Sequence, residues 1–174
     1  MTDPTIQEVL DHFAIRKVLE RYCHACDRCN RDLLESCYWP GAGDDHGTYS
    51  GPAEGFIDFV MPVLKTAYDG TTHMIAQSTM RIDGDLAAVE TYVLATHKLA
   101  GVTPSAINRV GGRYVDRFEK RGGEWRIADR TLLIDWTENQ PDGTVPEGAR
   151  ALTLDVFRRG RRDGSDMATG MIYR

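Results

Sequence analysis

At Asp69-Gly70 the sequence changes period. Before that point apolar residues return every three or four positions, the spacing of one face of a helix; after it they alternate with polar ones, as in a strand with one buried face. From Thr5 to Arg28 the series Ile6, Leu10, Phe13, Ile15, Val18, Leu19, Tyr22 and Cys26 predicts one long amphipathic helix. Asn30 can cap a second, short helix from Arg31 to Tyr38, ended by Pro40 and the Gly41/Gly43 pair. Gly51-Pro52 opens a third through about Tyr68, in which Pro62 predicts a kink. Beyond the switch, Thr71 to Ile82 and Leu86 to Leu99 flank the turn dipeptide Asp83-Gly84, and Ile107 to Arg121 and Glu124 to Thr137 flank Gly122-Gly123. These read as two hairpins. A short strand near Asp44 to Tyr49 completes the sheet, and Gly111-Gly112 marks a bulge or bend.

Helices followed by an antiparallel meander make an α+β pattern, so the expectation is a sheet curled around the N-terminal helices and not a parallel doubly wound fold. The 174 residues suit one domain over 1–140, with 141–174 as a C-terminal extension serving as a lid or an oligomer contact. That extension has room for a short helix from Glu147 to Arg159, and its basic cluster of Arg158, Arg159, Arg161 and Arg162 reads as a solvated face or tail. With 26 acidic residues against 21 Lys and Arg, the net charge of -5 repels a polyphosphate backbone, so nucleic acid is not expected as a partner. No apolar run approaches the ~20 residues that span a bilayer, and the first residues lack the basic and apolar regions of a signal peptide. The expected location is the cytoplasm, away from membranes.

The four cysteines crowd into one stretch as Cys23, Cys26, Cys29 and Cys37. The first three have iron-sulfur spacing, but a fourth ligand is out of register and the helix would have to unwind around a cluster. Buried, reduced thiols are the better reading, with no metal and no cofactor.

Asp27 puts a carboxylate on the apolar side of the first helix, where it needs a backbone donor, a cation or a histidine; alternatively it simply ends the helix. His97 shares the apolar face of its strand with Val89, Val93 and Ala95, and His73 opens the preceding strand, so two imidazoles can face one interior. His46 can join them, because in Asp44-Asp45-His46 only Asp44 and His46 point the same way. Arg130 alternates with Ala128, Leu132, Ile134 and Trp136, an otherwise apolar face, and therefore implies a buried anion such as Asp27 or a substrate oxyanion. Imidazoles out of bulk water, with a carboxylate to set the tautomer, are the equipment of acid-base chemistry.

In their order, Tyr22-Cys-His-Ala-Cys-Asp27, Asp32-Leu-Leu, Trp39-Pro40, Asp44-Asp-His-Gly47, Thr72-His73 and Gly112-Arg-Tyr-Val-Asp-Arg-Phe-Glu119 running into Gly123-Glu-Trp125 resemble the SnoaL-like, scytalone-dehydratase-like branch of the nuclear-transport-factor-two superfamily. The resemblance spans about residues 5 to 137. It implies a cone-shaped curved mixed sheet closed by the N-terminal helices around a deep apolar pocket. It also implies that Asp27 and His73 are the catalytic pair, that His97 is a second catalytic histidine, and that His46 stands where scytalone dehydratase has a tyrosine. Arg130 matches an arginine of the related hexachlorocyclohexane dehydrochlorinase. Two positions depart from the dehydratase: Cys26 replaces the tyrosine before the aspartate, and Tyr114 falls where it has an asparagine. The oxyanion hole of the ketosteroid isomerases, which share the fold, has no clear match.

The expectation is a cofactor-independent lyase, of dehydratase type, acting on a small cyclic or aromatic molecule. His73 is the base, Asp27 orients it, His97 and His46 protonate or bind the leaving oxygen, and Tyr22, Tyr114 and Arg130 hold substrate hydroxyls or developing charge. Carbon-carbon cleavage, dehydrohalogenation and isomerisation begin with the same deprotonation. A ligand-binding module without a competent dyad is one alternative, and a non-catalytic β-type subunit of an aromatic-ring-hydroxylating dioxygenase, which would have a filled cone, is another. Relatives also imply a homo-oligomer, trimer or dimer, pairing through the outer face of the sheet.

Overall fold

The computed structural model describes residues 5–101, 106–141, 161–163 and 165. The expected Glu147 to Arg159 helix, and most of the 141–174 extension, lie outside the described residues. Among the described residues, three helices precede and interrupt a six-stranded curved sheet: α1 (Ile6–Asp27), α2 (Arg31–Glu35), β1 (Tyr38–Asp45), β2 (Ser50–Pro52), α3 (Ala53–Thr66), β3 (Tyr68–Asp83), β4 (Leu86–Leu99), β5 (Ala106–Arg121) and β6 (Glu124–Pro141). The strand order is β2-β1-β6-β5-β4-β3. β3 to β6 form the antiparallel meander, and β1 lies parallel to β6, which makes the sheet mixed.

Thr5 starts α1 with a capping box: its hydroxyl accepts from the Glu8 amide at 3.2 Å while the Glu8 carboxylate accepts from the Thr5 amide at 2.6 Å. The helix has two apolar faces where the sequence predicts one. Ile15, Val18, Leu19, Tyr22, Cys23 and Cys26 pack into the core, but Ile6 is 82% and Phe13 60% exposed. The step from Phe13 to Ile15 is only two residues, about 200° of rotation, so the two series point to opposite sides. What continues the buried face toward the N-terminus is Asp11, which accepts from the Trp125 indole at 2.7 Å and pairs with Lys120 at 2.8 Å.

Asn30 caps α2 as expected, its side chain accepting from the Leu33 amide at 3.0 Å, but α2 stops at Glu35 because Tyr38 already belongs to β1. The expected Asp44 to Tyr49 strand is replaced by the longer β1 and by β2, which pair antiparallel around the turn at His46 to Tyr49. The meander keeps its predicted turns, and β6 runs on to Pro141. At Gly111/Gly112 the β5–β6 register slips by one residue. A Cβ at Gly111 would run into the Trp136 ring and one at Gly112 into the Leu133 carbonyl, so both close approaches require glycine.

Inward side chains of β4, β5 and β6, among them Val89, Val93, Tyr114, Phe118 and Ile127, meet Tyr22, Leu19 and Ile15 of α1 and Phe56 and Ile57 of α3 in one core. The four cysteines sit inside it as free thiols. Burial pushes Cys23 and Cys37 up to about 12, which leaves them protonated and inert.

Candidate active site

The last residue of α1 meets the inner face of β3. Asp27 Oδ1 accepts from His73 Nδ1 at 2.7 Å and from the Thr71 hydroxyl at 2.9 Å, and Oδ2 accepts from the His73 amide at 2.9 Å. Burial works against this carboxylate, but the His73 ring and amide and the Thr71 hydroxyl outweigh it and hold its pKa below the ordinary value. An ionised carboxylate can only accept, so the Nδ1 proton is fixed between the two and Nε2 is the ring nitrogen left for other work.

His73 lines a cavity of about 490 Å³ between the helices and the sheet. His97, Tyr22, His46, Asn108 and Tyr114 also reach its surface, while Phe56, Val63, Val93, Ala95 and Leu132 make much of the rest apolar. Within it the His97 ring stands edge-on to His73, with centroids 5.5 Å apart, and lies 4.8 Å from Tyr68. Its Nδ1 is buried with no hydrogen-bond partner among the described residues. Burial, then the neighbouring His73, pull the His97 pKa down to about 4, so the ring is neutral at pH 7.

The expected convergence of Asp44 and His46 is present. His46 Nδ1 lies 2.5 Å from Asp44 Oδ1, the Tyr38 hydroxyl donates to Asp44 Oδ2 at 2.6 Å, and His46 Nε2 is 3.3 Å from the Tyr22 hydroxyl. The His46 ring stacks on Phe56 at 4.2 Å. Burial lifts the phenols of Tyr22, Tyr38 and Tyr114 well above their usual range, so each acts as a hydroxyl donor.

Arg130 is placed differently from the sequence expectation. Its anion is Asp116 on β5, not Asp27: Nε and one terminal nitrogen donate to the two carboxylate oxygens, each at 2.7 Å, with both side chains fully buried. The guanidinium lies over both the Tyr22 and Tyr114 rings, 4.1 and 4.0 Å from their centroids, where the two rings meet edge-on, and stands outside the cavity lining. Burial opposes its charge, but Asp116 outweighs this and raises the Arg130 pKa above its ordinary range. Arg162 is a second correction. It is half-buried rather than solvated, and donates to the carbonyls of Asp27 at 3.1 Å and Tyr68 at 2.8 Å, capping the C-terminus of α1 behind the dyad.

Four contributors went unread. Asp116 carried the same signal as Arg130, a charge alternating with the apolar Tyr114 and Phe118, and Thr71 shares the His73 face by strand period. Tyr38 and Arg162 carried no local signal. Among the described residues, no three His, Cys, Asp or Glu side chains are grouped as a metal ion would require.

The fold and site define a class: α+β cones that hold ionisable side chains against an apolar interior cavity. Residues 7–131 match the model of the SnoaL-like domain, and the chain belongs to that family, within the nuclear-transport-factor-two-like superfamily. By sequence, no curated protein matches it. Among solved structures it is similar to a hexachlorocyclohexane dehydrochlorinase, LinA type 2, with 19% identity over 81% of this chain and 97% of the other and a TM-score of 0.70. A candidate scytalone dehydratase from Novosphingobium aromaticivorans shares 19% identity over 82% and 97% of the chains, with a TM-score of 0.67. A candidate aromatic ring hydroxylase from the same organism shares 18% over 80% and 96%, with a TM-score of 0.68. At these identities the likeness establishes the fold. No helix among the described residues is long and apolar enough to cross a membrane.

Proposed function

We propose that the protein is a cofactor-independent lyase of the dehydratase type, in which His73 removes a proton from a small, largely apolar cyclic or aromatic substrate. The observation that carries this reading is the 2.7 Å Asp27–His73 contact on a ring that lines an open cavity. His73 Nε2 takes the proton, and Asp27 holds the ring's orientation and stabilises the imidazolium that forms. His97, neutral at pH 7, suits binding an oxygen of the substrate better than protonating it. Tyr22 and Tyr114 offer hydroxyls to the substrate, and His46 adds a third polar contact. Arg130 contributes through the two phenols it packs against. The names of similar structures, a dehydrochlorinase and a candidate scytalone dehydratase, are consistent with chemistry that begins by deprotonation.

A structural subunit would be expected to fill its cone, and the open cavity favours the enzyme over that reading. The test is a screen of cyclic hydroxyketones in D2O, read for deuterium entering the carbon next to the carbonyl and for loss of water. Wild-type protein is expected to do both, and His73→Ala neither, while unfolding at a similar temperature. Undiminished exchange in His73→Ala would remove the base assignment.

A further inference from the structure

We propose that Asp44, His46 and Tyr22 form a second proton-transfer arm in the same cavity, ending at the Tyr22 hydroxyl, which delivers a proton to the leaving oxygen. The proposal rests on the lyase reading and adds the acid that reading lacks.

The arm repeats the construction of the Asp27–His73 pair from the other end of the sheet. His73 comes from the β3 edge, whereas His46 directly follows β1, next to the opposite edge strand. In both pairs the carboxylate engages Nδ1 and leaves Nε2 on a ring that lines the cavity. The Asp44 side chain has no solvent exposure, and its second oxygen is occupied by the Tyr38 hydroxyl at 2.6 Å. Burying a carboxylate to hold one imidazole is costly, and a ring needed only to pack on Phe56 would not require it. Among the described residues His46 Nε2 meets the Tyr22 hydroxyl at 3.3 Å, and Tyr22 in turn faces the cavity. Tyr22 also has the Arg130 guanidinium 4.1 Å from its ring, a charge placed to ease transient loss of its proton.

In the reactive form His46 carries both ring protons. His73 Nε2 takes the substrate C–H proton, and the electron pair of that bond becomes the new carbon-carbon π bond. The C–O bond breaks with its pair on oxygen. The Tyr22 O–H proton moves to that oxygen, and the Tyr22 oxygen takes the Nε2 proton of His46. The products are an unsaturated compound and water. His73 ends as imidazolium and His46 neutral, and one proton exchanged through water restores both, with no oxidant or reductant. Asp44 is a positioning residue, fixing the proton on Nδ1.

The groups that can carry charge placed near His46 among the described residues are Asp44 of β1, Tyr22 of α1, Tyr114 of β5 and Tyr49 of the following turn, with the Asp116–Arg130 pair behind the phenols, while α3 packs Phe56 on the ring. The test is therefore NMR of the whole protein labelled with 15N in histidine and 13Cζ in tyrosine. The Tyr22 Cζ signal is expected to move in step with protonation of His46 Nε2 while Nδ1 keeps its proton throughout. Asp44→Asn should lose that fixed tautomer, and His73→Ala should change neither. A Tyr22 signal blind to His46, or an unchanged tautomer in Asp44→Asn, overturns the arm. With 3-hydroxycyclohexanone in D2O, His46→Gln is expected to keep exchange at the carbon next to the carbonyl and lose elimination by about 10²–10⁴-fold. Equal loss of both, or of neither, overturns the acid role. Activity retained in His73→Ala would instead sink the base reading, leaving the NMR result to stand.

Discussion

Replacing Asp116 by Asn keeps the shape of the site and removes its charge, leaving Arg130 as a lone cation in the core. Both side chains have no exposure, and two bonds of 2.7 Å join them. Breaking one side of a buried ion pair costs about 3–5 kcal/mol, because the survivor remains desolvated without its partner. Here the Tyr22 and Tyr114 rings stay 4.1 and 4.0 Å from the guanidinium and offset part of the loss. A net destabilisation of about 3–4 kcal/mol is expected. At about 2–4 °C per kcal/mol for a chain of this size, the melting temperature should fall by roughly 6–16 °C. Urea unfolding followed by tryptophan fluorescence, with calorimetry at the same protein concentration, measures both. Removing both charges in Asp116→Leu/Arg130→Met should leave a protein more stable than either single variant, since nothing charged is stranded. An Asp116→Asn protein within about 0.5 kcal/mol of wild type would refute the reasoning and mean that water or Tyr hydroxyls carry the charge of Arg130.

Three further outcomes are expected. Asp27→Asn should lower kcat on the hydroxyketone by about 10²–10⁴-fold with substrate binding retained; an unchanged rate would make the carboxylate a helix terminator only. His97 titrates near 4 in the folded protein against 6.5 when unfolded. Between those values the unfolded chain binds a proton that the folded one refuses, so this contribution is intact above 6.5 and lost as pH falls to 4, by at most about 3–4 kcal/mol. The wild type should therefore lose more stability than His97→Gln between pH 7 and 4.5, and equal losses would contradict the buried neutral ring. Gly112→Ala should destabilise by about 1–3 kcal/mol, as its methyl meets the Leu133 carbonyl; thermal melts indistinguishable from wild type would show that the β5–β6 slip yields easily.

What could be read from the sequence was local or periodic. Asp83-Gly84 and Gly122-Gly123 announce their hairpins because the turn chemistry sits within the two residues. Asp27, His97 and Arg130 stand out as polar groups on apolar faces, and His73 by its place near the start of the strand before that of His97. Each such group needs a partner, but periodicity cannot say which: the pattern leaves Arg130 open to Asp27 or to a substrate oxyanion, and the partner is Asp116 on β5. The partner is set by the register of β5 on β6, where Asp116 faces Arg130 across the ladder. The phase break at Phe13 was legible in principle, since a two-residue step cannot keep a helical face. Arg162 was not, because its contacts with Asp27 and Tyr68 join positions 135 and 94 residues apart through a segment with no periodic pattern.

The parallel seam between β1 and β6 sets an order in time. Hairpins β3–β4 and β5–β6 can close from neighbouring residues as the chain emerges, but Asp44 pairs in register with Arg130, and that neighbour is synthesised only after nearly the whole meander. Closing so long a loop is entropically slow, and contacts of this separation dominate folding rates. On that separation the seam beside the His46 wall is expected to close after the hairpins, and the cavity is enclosed only once β6 has paired with β1.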